Sequence, residues 1–225
     1  MRLNTPINKE EFKTHVTYNV WKYALLIAAA VAVWSFIGEM KPSIREEKKI
    51  ELYVMSNTAS SEILDPFLEP LWQEYVPDME SVCAYTIPIL DDYSMDQYFI
   101  TRLYAKQGDI YFMNEKYFKQ YASIGFFLPL EDLIQTGAID PGDTDLEKGK
   151  VTKVNYNSDN EIESTEIHLY GIPLDSYSGF LKKAGLNNTG MYAAIMVFNQ
   201  NDENVIPFFN VLLQAGRGEK TENAN

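Results

Sequence analysis

The chain has 225 residues, 46% of them apolar and 13% aromatic, with 32 Asp/Glu against 19 Lys/Arg for a formal net charge of −13. Residues 1–49 hold eight Lys/Arg against five Asp/Glu, so the remainder carries eleven against twenty-seven, a surplus of about sixteen negative charges that repels DNA, RNA and anionic lipid and excludes nucleic acid as a partner. The one cysteine, Cys83, rules out an internal disulfide framework, and the two histidines, His15 and His168, are too few for a histidine-rich metal site.

Residues 1–22 are polar and mixed, with Phe12, Val16 and Val20 able to line one side of a helix. The stretch YALLIAAAVAVWSFIG then runs uncharged from Tyr23 to Gly38, between Lys22 and Glu39. A bilayer core of about 30 Å asks for roughly 20 apolar residues in a helix. Val16, Val20 and Trp21 extend the run backwards, and Trp21 and Trp34 sit near its ends as interfacial aromatics do. We read residues 20–38 as a transmembrane helix after a segment over 1–19. A cleaved signal peptide is the rival reading, but its charged head would be unusually long and no small-x-small cleavage site follows. Basic residues flank the run evenly, with Arg2, Lys9, Lys13 and Lys22 before it and Lys41, Arg45, Lys48 and Lys49 after it, so charge does not set orientation.

A charged linker over 39–49 leads into the first strand, where Ile50, Leu52 and Val54 alternate. Ile63, Phe67, Leu71 and Tyr75 predict one face of a helix, broken or late-starting because of Pro66 and Pro70. Residues 81–87 read as a second strand and Asp91-Asp92 as a loop. Met95, Phe99 and Leu103 mark a helix, residues 110–113 a short buried strand, and Asn114 caps a helix bearing Tyr117, Tyr121 and Ile124. Residues 137–165 are polar, acidic and turn-rich, with a weak hairpin at Val151, Val154 and Ile162. A strand over 167–174, a brief helix over 180–184, a nearly all apolar strand over 191–198 and a helix over 205–213 follow, then a charged, loose tail over 216–225. The order β-α-β-α-β-α, insert, β-α-β-α predicts an α/β fold, a largely parallel sheet with helices on both faces, over residues 50–215.

Several motifs resemble a known family. Gly108-Asp-Ile-Tyr-Phe-Met113 before a helix, then YASIGFFLPLEDLI over 121–134, looks like the first lobe of bacterial extracellular solute-binding proteins, the sugar-type partners of ABC transporters. Tyr170-Gly-Ile-Pro173 resembles that family's YGIP strand, FLKKAGL over 180–186 its next segment, and WQEYVP over 72–77 a helix end before its second strand. The likeness covers roughly residues 50–186. Members are about twice as long, with two lobes that close on a ligand, and are usually tethered by a lipidated cysteine. This sequence offers a transmembrane helix instead and stops about forty residues after the last motif, so a single membrane-anchored lobe is expected. The resemblance implies a single-pass protein of the cell membrane, with residues 1–19 cytoplasmic and the C-terminal domain extracellular.

Chemistry in the sequence points to binding. Cys83 in an apolar strand reads as a small buried hydrophobe, neither histidine belongs to a motif, and no nucleophile elbow or phosphate-binding glycine loop is present, so neither an enzyme nor a cofactor is expected. Asp140, Asp143, Asp145 and Glu147 have oxygen spacing only loosely like a calcium loop, and no metal site is assigned. In open parallel sheets ligands sit beyond the strand carboxyl ends. Those ends are Asn57 and Thr58, then Asp91 and Asp92, then Asn114, then Asp175, Ser176 and Tyr177. Amides, carboxylates and a tyrosine suit a small polar, sugar-like solute; the same residues are also turn formers and helix caps. The expected function is a binding or sensory lobe, and the alternative is an interaction subunit that docks on a transporter or another envelope protein.

Overall fold

A computed structural model describes residues 9–39, 44–89, 93–156, 161–198 and 201–217. The chain divides into two compact units, Met1–Ser43 and Ile44–Asn225. The first unit is the helix α1 (Lys9–Glu39). Its stretch Lys13–Ser35 has 23 residues of mean hydropathy 1.5, none of it buried. At 1.5 Å per residue such a stretch is about 35 Å long, enough to cross a bilayer core.

The second unit is an α/β domain. In chain order it contains β1 (Lys49–Met55), α2 (Ser61–Tyr75), β2 (Ser81–Ile87), α3 (Tyr93–Tyr104), β3 (Ile110–Asn114), α4 (Glu115–Ala122), α5 (Glu131–Gln135), β4 (Lys150–Tyr156), β5 (Ile162–Leu169), β6 (Ile172–Pro173), α6 (Phe180–Lys183), β7 (Met191–Ile195) and α7 (Asp202–Arg217). The main sheet has the order β2-β1-β3-β7-β6, and β4 and β5 form a separate two-stranded sheet. β1 is parallel to both β2 and β3. The chain steps one way from β1 to β2 and the other way from β2 to β3. Right-handed crossovers in opposite directions put α2 and α3 on opposite faces. Helices therefore cover both faces of a mostly parallel sheet, as the alternation of elements predicts.

The last strand departs from that alternation. β7 is fully buried between β3 and β6, as its apolar sequence predicts, but it runs antiparallel to both. Its direction follows from its entry point. The Glu115 N–H, just past the end of β3, donates to the Gly190 carbonyl at 3.0 Å, so the chain enters β7 from the carboxyl end of β3. The predicted strand over 167–174 is divided between β5 and β6. The polar insert does form the weak hairpin expected, with β4 and β5 antiparallel.

Two further expectations change in α2. The helix is continuous, with Pro66 and Pro70 inside it. Both prolines stand on its exposed side, where the carbonyls they leave unbonded are open to water, while Leu64 and Leu68 are fully buried opposite. The core-facing row is Leu64 and Leu68 flanked by Phe67 and Leu71, whereas Ile63 and Tyr75 are 41% and 52% exposed. Ile50, Leu52 and Val54 of β1 are fully buried on one face. On the other face Tyr53 and Met55 are buried but Lys49 and Glu51 are only partly so. The amino-terminal half of that face is therefore open.

Candidate functional site

The strand carboxyl ends gather Asn57, Thr58, Asn114 and Asp175, four of the eight sequence-predicted residues, and each described candidate has local work. The Asn57 Oδ1 accepts the Ile89 N–H at 2.7 Å, and the Thr58 hydroxyl donates to the Gly185 carbonyl at 2.5 Å. Asn114 caps α4 by accepting the Tyr117 N–H at 3.1 Å, satisfying one of the first-turn donors. Asp175 Oδ1 accepts the Gly190 N–H at 2.8 Å, in the turn that feeds β7 beside the end of β3. Ser176 and Tyr177 turn instead toward residues 141–144. The Ser176 and Thr144 hydroxyls are 3.2 Å apart, and the buried Tyr177 donates to the Pro141 carbonyl at 3.0 Å. Asp91 and Asp92 lie outside the described residues.

Two residues that sequence patterns did not single out as ligand groups stand at the same end. Asp96 lies in the first turn of α3 and Tyr117 in the first turn of α4, the helices that leave β2 and β3. Asp96 Oδ1 and the Tyr117 hydroxyl are buried and have no hydrogen-bond partner among the described residues. Tyr121 links them. Its hydroxyl reaches the Asp96 carbonyl at 3.5 Å, and its ring lies 6.3 Å from that of Tyr117. Burial, with the nearby Asp96 charge, pushes the Tyr121 hydroxyl up to about 12. A buried polar atom without a partner costs about 1–3 kcal/mol, so such atoms mark places where a water or ligand group is accepted.

A cavity of about 570 Å³ opens at the opposite end, on the uncovered half of the sheet face and under the C-terminal end of α3. Strand register builds its floor. Tyr53 of β1 is paired with Tyr85 of β2 and with Tyr111 of β3, and the rings stack in a row at 5.0 and 5.3 Å. Tyr111 is fully buried, Tyr53 nearly so, and Tyr85 on the edge strand is 43% exposed. Arg102 lies 5.0 Å over the Tyr53 ring and donates to its hydroxyl at 2.8 Å. Lys49 is ion-paired with Glu46 at 2.9 Å and Glu51 at 3.1 Å. Asp109 Oδ2 accepts the Glu51 N–H at 2.8 Å. Burial pushes the Asp109 carboxyl up to about 6, against the pull of that N–H.

Lys106 closes the mouth. It is the one non-glycine residue with a left-handed backbone among the described residues, φ 55°, and its ammonium lies 5.2 Å from the Phe198 ring. It ends α3 where glycine is the usual choice, at a cost of about 1–2 kcal/mol. Next to the cavity, an apolar groove of about 270 Å³ runs between Leu103, Tyr104, Ile124 and Phe126.

The remaining candidates have structural explanations. Cys83 is half-buried, not buried, because it lies on the open face of β2, with its sulfur 3.1 Å from the Ser81 hydroxyl. His168 sits at the surface between Glu131 at 3.3 Å and Glu166 at 3.6 Å. Asp140 is held by Arg217 at 2.8 Å, and Asp145 caps a turn of 3-10 helix at Leu146–Gly149. Among the described residues no group of three His, Cys, Asp or Glu is placed to hold a metal.

Comparison with known structures returns partial matches at low identity. An extracellular solute-binding protein of family 1 from Alicyclobacillus acidocaldarius is 18% identical, over 56% of this chain and 27% of its own, with a TM-score of 0.37. An ABC substrate-binding protein from Listeria monocytogenes, in complex with cycloalternan, is 20% identical over 62% and 34%, with a TM-score of 0.38. An N-glycan transport solute-binding protein from Streptococcus pneumoniae is 15% identical over 62% and 30%, with a TM-score of 0.32. This chain is similar to extracellular solute-binding proteins. It spans about a third or less of the length of those structures. No protein-family model matches the chain, and no curated protein matches it in sequence.

Proposed function

We propose that this is a non-catalytic binding lobe for a small polar, sugar-like solute, held at the outer face of the cell membrane by α1. The observation that carries the reading is the pair of buried polar atoms without a partner among the described residues, Asp96 Oδ1 and the Tyr117 hydroxyl, at the first turns of the two helices that leave the strand carboxyl ends. An acceptor and a hydroxyl are the groups that hold a sugar's hydroxyls, and this is the end of an open α/β sheet where ligands sit. The four ordered sequence motifs between residues 72 and 186 support the same reading. The exposed α1, with its 23-residue apolar stretch, supports the anchor.

The test is a thermal-shift screen of the full-length protein in detergent micelles against mono- and oligosaccharides, including cycloalternan and mannitol. A solute at 100 times its Kd adds about 2.7 kcal/mol to stability, a readily measured rise in Tm. The reading predicts at least one such rise, lost in Tyr117→Phe and Asp96→Asn. A flat response across the panel from a cooperatively melting protein contradicts it.

One observation favours the second reading, an interaction subunit docking on a transporter or another envelope protein. Tyr104, Ile124 and Phe198, at 71%, 56% and 44% exposure, surround the apolar groove at the end of α3. Contiguous exposed apolar side chains of this kind mark protein contacts. Capture of a membrane partner by the native chain, abolished by Ile124→Glu, would support it.

A further inference from the structure

The cavity under α3 keeps its charges apart. On one side Lys49 is committed to Glu46 and Glu51, and Asp109 is tied to the Glu51 N–H. On the other, Arg102 is bound to the Tyr53 hydroxyl and, at 3.3 Å, to the Gln107 side chain. Neither Arg102 nor Lys106 has a carboxylate within 4.0 Å among the described residues, although carboxylates line the same cavity. The stacked rings of Tyr53 and Tyr85 line the same cavity, with the Tyr85 ring open at the edge. An anion would meet Glu46, Glu51 and Asp109, and a cation would meet Arg102 and Lys106. A molecule that carries both charges on a flat or apolar body meets neither conflict.

We propose that this cavity is a second binding site, for a small zwitterion such as an amino acid or a short peptide. Its carboxylate would lie on Arg102 and Lys106, its ammonium on Glu51 and Asp109, and its side chain against Tyr85. The size fits, since cavities of about 300–1,000 Å³ hold small organic ligands. The backbone of Lys106 points the same way. A left-handed lysine is kept at the mouth where glycine would be easier, and strained residues persist where the side chain is used. The site lies at the amino ends of the strands, so it stands independently of the sugar reading at the carboxyl ends.

Isothermal titration of the full-length protein in micelles tests it, with L-phenylalanine and glycyl-L-phenylalanine as probes. The proposal expects saturable binding of at least one probe. The corresponding N-acetylated and amidated compounds, each lacking one charge, should bind at least about tenfold more weakly. Lys106→Met and Tyr85→Ala both alter exposed side chains, and each should weaken binding at least about fivefold, while Asp96→Asn leaves it unchanged. Absence of binding by both probes overturns the proposal. So does a blocked compound that binds as tightly as its parent, or unchanged affinity in both cavity variants. A sugar response lost in Asp96→Asn but retained in Lys106→Met separates the two sites, and the failure of either leaves the other standing.

Discussion

The Arg102 guanidinium lies over the Tyr53 ring and donates to the Tyr53 hydroxyl at 2.8 Å, joining the end of α3 to the central strand β1. A charge-assisted hydrogen bond contributes about 1.5–3 kcal/mol and a cation–π contact about 0.5–1 kcal/mol at a partly exposed site. We predict that Arg102→Met and Tyr53→Phe each lower the stability of the domain, and that the double variant loses about 1 kcal/mol less than the two together. Urea denaturation of the four proteins gives the coupling. Strict additivity would show that the contact contributes nothing.

Asp109 should set a pH dependence of stability. Its carboxyl is raised from 3.8 to about 6 by burial, with Glu51 and Glu46 adding to the rise and Lys49 and the Glu51 N–H opposing it. The folded state therefore binds this proton more tightly than the unfolded chain. Its contribution is complete below about pH 4 and is lost as pH rises toward and through 6, by up to about 3 kcal/mol. Asn can still accept the Glu51 N–H, so Asp109→Asn should be more stable than the parent at pH 7 and similar to it near pH 4. The difference between the two stability–pH curves isolates this group from the other carboxylates. Parallel curves would refute the assignment.

Gly149 should tolerate no side chain. A Cβ there would run into the Gly171 carbonyl oxygen and sit 2.8 Å from Leu169 Cδ1, where the hairpin strand β4 starts beside β6. Gly149→Ala is expected to cost about 1–3 kcal/mol by overpacking. A denaturation midpoint equal to the parent's would show that the close approach is relieved at no cost.

Lys106 offers a gain in stability. Lys106→Gly removes the left-handed strain, offset by the larger entropy of the unfolded glycine, for a net gain of about 0.5–1 kcal/mol. For a domain of this size that is a rise of about 1–4 °C in Tm. The same variant removes the Lys106 ammonium from the cavity, so probe affinity should fall as Tm rises. A falling Tm would contradict the strain.

Much of the fold was legible because it is written in local periodicity. Ile50, Leu52 and Val54 announce a strand with one buried face, Asn114 announces a cap, and the succession of elements announces a mostly parallel sheet. The direction of β7 was not legible, since five buried apolar residues read the same in either sense and the long excursion from β3 decides where the chain enters. The face of α2 was misjudged because two rows of apolar residues at four-residue spacing lie one position apart, and only packing chooses between them. Asn57, Asn114 and Asp175 do stand at the strand carboxyl ends, but turn and cap chemistry satisfies their side chains. Asp96 and Tyr117 do not stand out as ligand groups because they sit inside helical patterns. The cavity escaped because Tyr53, Tyr85 and Tyr111 meet only through the register of three strands.

The most direct measurement is amide hydrogen exchange on the full-length protein, with and without the saccharides of the screen at saturating concentration. Binding at the strand carboxyl ends predicts slower exchange in residues 93–97 and 114–121, around Asp96 and Tyr117, and no change at residues 102–109. Unchanged exchange in those two segments for every saccharide, or protection confined to other parts of the domain, would contradict the account.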